Sequence, residues 1–262
     1  MHARPDAATA SGSYGQGMQA SGLHIPRGLP AGLVPHPAAH PESWATQLRW
    51  YAAATLIGFT VPFVGSSVLG LQHDVYLGIY FVVVLAVFTS YAVATGLDVR
   101  ATLRRRWKLG VGLGVVVGFV LVRNVLSADA TPRPHGAYYV FELIWRGGIY
   151  GAVDALLLTV LPCLVVYRAL GGDLATWRRR IAYFAASLAL VMTITATYHL
   201  GYAQYRHDGV GAPEMGNTLI SMPMLLSTNP IGSIADHAAM HISAVAHTYE
   251  TDVRLPPPTK AH

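Results

Sequence analysis

Between residues 49 and 202 the chain alternates long apolar runs with short basic ones. A run of about 20 apolar residues is long enough to cross the hydrocarbon of a bilayer as a helix. Lipid offers no water to backbone amides, so each crossing segment must satisfy its own hydrogen bonds. These two constraints predict an all-α fold, a polytopic transmembrane helical bundle of about six to seven spans. Composition agrees: 53% of residues are hydrophobic and only 12% charged, where a soluble domain carries about 25% charge.

The runs fall at about 49–71, 75–97, 109–126, 137–167 and 181–202. The stretch 218–249 reads either as one span with an interfacial helix or as two half-spans broken near 227–233. Lys and Arg concentrate in two loops, Arg100–Lys108 and Arg168–Arg180. Under the positive-inside rule both loops are cytoplasmic, which puts the amino terminus inside and the chain in the plasma membrane. The net charge of +5 is accounted for by these loops, so no nucleic-acid partner is implied; membrane lipids are the expected surroundings. The lone Cys163 excludes an internal disulfide. Residues 1–43, rich in Gly, Ala, Pro, Ser and His, read as a disordered tail, and they lack the apolar core of a signal peptide. Residues 44–250 form the membrane domain, and 251–262 a polar tail with three consecutive prolines.

Two local patterns bear on packing. Pro62 in the middle of the first span predicts a kink. Gly110, Gly114 and Gly118 recur every four residues in the third span, so they share a helix face on which another backbone can come close.

Polar residues within the apolar runs mark the candidate site, because ionisable groups at such depth are costly and usually functional. Span order brings the start of span four and the end of span five to the outer side, so Glu142, Arg146 and His199 reach one membrane level from separate helices. Glu142 and Arg146, four apart, can pair across a helix turn; they make either a structural ion pair or an arginine-oriented general base. His199 is either an interfacial histidine bonded to a carbonyl or a second base and metal ligand. His237 and His241 also lie four apart, the spacing of helix-borne zinc ligands, but the Glu of H-E-x-x-H is replaced by Ala238. His247 lies on another face and reads as a capping or solvent-facing residue. Asp154, deep in span four, pairs with a His or Arg or lines a cavity. Asn229, before Pro230, reads as a helix cap or as an amide donor to an oxyanion, the cap being the commoner role.

The set Glu142-x-x-x-Arg146-Gly147, then His199 at a helix end, then His237-x-x-x-His241 after Asn-Pro-Ile-Gly-Ser, resembles the CPBP family. This is the family of CAAX-protease and bacteriocin-processing intramembrane proteases, also called abortive-infection proteins. The likeness covers about 141–246, and the motif order agrees. Phe141 stands where that family has its first Glu, Thr195 where it has an aromatic, and His241 where Asn is commonest. The resemblance implies a bacterial intramembrane endopeptidase acting on a peptide or membrane-protein substrate. Glu142 and His199 would activate water, with Arg146 orienting the acid. His237 and His241 would stabilise the oxyanion or, with Glu142 and His199, ligate a divalent metal such as zinc. Two other classes fit the same residues: a non-enzymatic transporter or scaffold with a Glu/His proton relay, and a histidine-ligated metal or haem protein.

Overall fold

The computed structural model describes residues 43–250, and the expected tails at 1–42 and 251–262 lie outside the described residues. Among the described residues the chain is helical, without strands. Ser43, the last residue of the expected tail, caps the first helix by accepting a 3.2 Å bond from the Thr46 amide. The helices are α1 Trp44–Val68, α2 His73–Ala94, the short α3 Val99–Arg104, α4 Trp107–Leu126, α5 Gly136–Ala169, α6 Trp177–Leu200, the short α7 Ala203–Asp208, α8 Gly211–Ser227 and α9 Ile231–His247. Five of them, α1, α2, α4, α5 and α6, are long and apolar enough to cross a membrane.

Helix α5 is the centre of the bundle. In its most apolar stretch 83% of residues are buried, against 28–33% in the other four long helices. Its 34 residues exceed what a bilayer needs, and the winding is uneven. Hydrogen bonding widens to π-helical turns at Leu143–Ile149 and Leu156–Val160, on either side of the regular segment Tyr150–Ala155. Such turns are frequent at functional sites. Here they flank the segment that carries Asp154.

At Pro62, where a kink is expected, the winding changes. Beyond the proline α1 continues as a π-helical turn, Phe63–Val68. The end of α6 closes against it: a β-carbon at Gly201 would lie 2.6 Å from the Pro62 ring, and Ser67 donates a 2.8 Å bond to the Gly201 carbonyl.

The glycine face of α4 meets α9. A β-carbon at Gly114 would lie 2.6 Å from Gly232 Cα, and one at Gly110 would lie 3.1 Å from the Asn229 side chain. On its other side α9 meets a second glycine pair, Gly147 and Gly151 of α5. β-Carbons there would lie 2.9 Å from Ile242 and 2.7 Å from Ala238 Cα. Helix α9 is therefore held between two tracks of small residues, closer to its neighbours than ordinary side chains allow.

The break before α9 falls at Thr228–Pro230, where Thr228 takes a left-handed conformation, φ 62°. Asn229 is a cap, as expected: its Oδ1 accepts from the Ile231 amide at 2.9 Å. Its amide does more. The two Nδ2 hydrogens are shared among the carbonyls of Thr102, Leu103 and Arg105 at 3.2, 2.9 and 2.7 Å. That anchors the start of α9 at the basic end of the bundle. Its far end is tied to the loop after α4, where His247 Nε2 meets the Ala128 carbonyl at 2.9 Å and Thr131 N donates to His247 O at 2.9 Å.

Gly114→Leu should lower stability by about 1–3 kcal/mol or more, because the added side chain meets backbone that cannot yield. Gly118→Ala should be neutral or slightly stabilising, since its β-carbon would find Asp236 at an ordinary 3.4 Å. Thermal unfolding of the two variants in detergent checks the contrast; equal midpoints would rule out close α4–α9 packing.

Candidate metal centre

Pressed between the glycine tracks, α9 delivers His237 and His241 into the interior, 3% and 2% exposed. Their four-residue spacing stacks the two rings, with centroids 4.9 Å apart and planes 21° apart. Opposite them, the regular segment of α5 presents Asp154, also 3% exposed. Asp154 Oδ2 lies 3.4 Å from His237 Nε2. One ligand atom from each of Asp154, His237 and His241 lies within 4.8 Å of the others. The remaining nitrogen of His237, Nδ1, has no hydrogen-bond partner.

Neighbouring tyrosines fix this cluster. Tyr80 on α2 donates a 2.5 Å bond to Asp154 Oδ1, which leaves Oδ2 facing the histidines. The Tyr150 ring meets His241 edge-on, centroids 4.7 Å apart and planes at 68°. From Tyr150 a chain of buried hydroxyls leads away, Tyr150–Tyr198 at 2.9 Å, Tyr198–Tyr202 at 2.8 Å and Tyr202–Tyr76 at 2.6 Å.

The cluster opens on a cavity of about 390 Å³ lined by Asn124, Asp154, His199, His237 and His241 among mostly apolar neighbours. His199 Nδ1 lies 2.8 Å from the Thr195 carbonyl one turn back. A carbonyl can only accept, so Nδ1 carries the proton and Nε2 keeps its lone pair. The carbonyl-bonded reading of His199 and the second-base reading are thus compatible: the bond that holds the ring also sets its tautomer.

Glu142 and Arg146 sit elsewhere. Neither lines the cavity. Glu142 lies twelve residues before Asp154, about 18 Å along a helix at 1.5 Å per residue. It is fully buried in a second cluster near the start of α2 and of α5. Its Oε1 lies 3.4 Å from His73 Nε2, and its Oε2 accepts from Tyr249 at 3.1 Å and lies 3.9 Å from Arg146 Nη1. His73 also approaches Asp74 Oδ1 at 3.1 Å, and Arg146 lies over the Tyr249 ring at 5.4 Å. Burial, and next the Glu142 charge, raise the Tyr249 hydroxyl above its usual range. His247 is half-buried at the α9 end and takes no part in either cluster.

Of the residues singled out from the sequence, the structure gathers His199, His237 and His241 into one cavity and sets Glu142 and Arg146 apart. The carboxylate that completes the histidine pair is Asp154. The sequence marks it only as an acid deep within an apolar run, without a motif. Tyr80 and Tyr150 carry no signal of their own, since a tyrosine in a membrane helix reads equally as packing. Comparison of the chain with family models, curated proteins and solved structures found no match.

Glu142→Gln should destabilise this second cluster by about 1–3 kcal/mol, because one acceptor of a buried hydrogen-bonded network becomes a donor, while leaving the cavity geometry intact. Thermal unfolding of the variant tests this; an unchanged midpoint would show that the His73–Glu142–Tyr249 cluster holds nothing together.

Proposed function

We propose that the protein is an intramembrane metal-dependent hydrolase whose Asp154, His237 and His241 hold a divalent cation. One observation carries the reading: two imidazoles and a carboxylate, all buried, converge within 4.8 Å beside an accessible cavity. Three protein ligands with an open side are the arrangement of catalytic rather than structural zinc. A divalent ion there supplies Lewis acidity and a bound water of lowered pKa. The chain's own residues do the rest. Tyr80 orients Asp154, the Tyr150 ring buttresses His241, and His199 offers Nε2 as a base toward the cavity. The mostly apolar lining suits an apolar segment of a peptide or membrane protein as substrate. This keeps the reaction class implied by the CPBP resemblance and assigns the carboxylate role to Asp154 instead of Glu142. Haem held between His237 and His241 is disfavoured, because axial ligands approach an iron from opposite sides whereas these rings stack side by side.

The second reading, a non-enzymatic transporter, is favoured by the hydroxyl chain from Tyr150 to Tyr76. Such a chain can pass protons between the cavity and the outer part of α2. The two readings part on hydrolysis.

Metal analysis after incubation with zinc or cobalt should find about one ion per chain in the wild type and in Glu142→Gln, and none in Asp154→Asn or His241→Ala. His199→Ala should keep the ion and lose about 10²–10⁴-fold in cleavage of an apolar peptide, the usual contribution of a general base. A wild type that binds no metal sinks the proposal. Metal binding with no cleavage, but with acidification of proteoliposomes, replaces it with the transporter.

The proposed topology is seven crossings of a bacterial plasma membrane, α1, α2, α4, α5, α6, α8 and α9, with the amino terminus cytoplasmic. Helices α8 and α9 have 17 residues each, about 25 Å of rise, and α9 is tied to loops at both ends of the bundle. Arg100–Lys108 and Arg168–Arg180 lie on the expected inner side. In a Cys163→Ala background, an impermeant maleimide added to intact cells should label Asp129→Cys and spare Asp173→Cys; the reverse pattern would invert the orientation.

A further inference from the structure

Away from the metal centre, a second cavity of about 670 Å³ lies at the basic end of the bundle, where the loop before α4, the start of α6 and the end of α8 converge. Three arginines are among its lining residues, Arg105, Arg106 and Arg180, the last donating from Nε to the Leu174 carbonyl at 2.9 Å. Among the described residues none of the three has a carboxylate within ion-pair distance; the nearby Asp173 is engaged by Arg179 at 2.5 Å. Arg105 is partly buried, with its guanidinium donating to Tyr167 and lying over that ring at 4.3 Å. Burial, and next the charge of Arg106, lower its pKa from the ordinary arginine value. Positive charge is thus concentrated here, with no carboxylate paired to these three arginines among the described residues. The two non-glycine residues with positive φ among the described residues, Arg106 at 47° and Thr228 at 62°, both line this cavity. The opposite wall is apolar, with Ile181, Phe184, Leu225 and Leu226. Ile181 and Leu226 are 57% and 50% exposed, so this wall is open to whatever surrounds the bundle.

We propose that this groove binds an anionic phospholipid, with the phosphodiester on the arginines and the acyl chains along the apolar wall between α6 and α8. The positive-inside rule accounts for arginines in these loops but not for their convergence on one groove with a greasy wall. Arginine forks match phosphate oxygens in pairs, and basic pockets between membrane helices on the cytoplasmic side take such headgroups. The groove is far larger than a bare phosphate ion requires. Its apolar wall sets the lipid apart as the occupant rather than a free anion.

The test is lipid retention by the full chain in detergent, read by native mass spectrometry with phosphatidylglycerol and phosphatidylcholine supplied at equal concentration. Phosphatidylglycerol should be retained at least about tenfold over phosphatidylcholine. Millimolar inorganic phosphate should not displace it. Arg106→Gln and Arg180→Gln, singly and together, should bring the preference within about twofold. Arg178→Gln, on the same helix but outside the groove, should leave it unchanged. Arg105→Gln also removes the Tyr167 contact, so the other two arginines carry the test, each variant being required to unfold at the wild-type midpoint. Equal retention of the two lipids, or a preference that survives the Arg106/Arg180 double variant, overturns the proposal. Displacement by phosphate alone overturns the lipid assignment and leaves an anion site.

Discussion

The approach of α9 to α4 and α5 sets most of what this chain can do. Lipid tails are as apolar as leucine, so helices in a bilayer gain little from burying grease against each other and more from close van der Waals contact. Glycines supply that contact on both sides of α9, Gly110 and Gly114 from α4 and Gly147 and Gly151 from α5. The consequence is chemical. A helix held this tightly cannot turn its histidines away from the interior, and Asp154 on the adjacent segment of α5 is brought within 3.4 Å of His237. The Asn229 amide fixes the same helix lengthwise by engaging three carbonyls around α3.

Two polar clusters result, stacked along α5 at different depths. Each is completed from α2: Tyr80 serves Asp154 and His73 serves Glu142. The Glu142 cluster sets an arginine and an imidazole beside two carboxylates. One ligand atom from each of His73, Asp74 and Glu142 also lies within 4.8 Å of the others, but there the Arg146 guanidinium stands 3.9 Å from Glu142. The Asp154 cluster has a carboxylate, two imidazoles and, among the described residues, no basic side chain within ion-pair distance of Asp154 other than His237. The guanidinium beside Glu142, more than depth, is the reason the proposal places the cation at Asp154 and not at Glu142.

Much of this was legible in the sequence, and the boundary of legibility has physical causes. The helical class followed from apolar length alone. The α4 packing face followed from glycines at four-residue steps, and the paired imidazoles from the same spacing in α9. The choice of carboxylate did not follow. Glu142 attracts notice because Arg146 lies four residues on, which is a local signal. Asp154 has no such neighbour, and its partners, Tyr80, His237 and His241, come from two other helices. The inward face of α5 also depends on winding that no residue pattern announces. The buried tyrosine hydroxyls were invisible for a related reason: apart from the Tyr198–Tyr202 pair, four residues apart, their partners are other tyrosines 48 and 126 residues away.

The two widened turns of α5 act as phase shifts. Each spends more than the regular 3.6 residues on one revolution, so the stretches before, between and after them are clocked independently about the axis. Glu142 can face one set of neighbours and Asp154 another although both ride a single unbroken rod. Removing one residue from the regular stretch 150–153 would leave its winding unchanged and swing Asp154 by about 100° relative to Glu142. The orientation of the acid is thus written into the length of the helix as much as into the identity of its side chains.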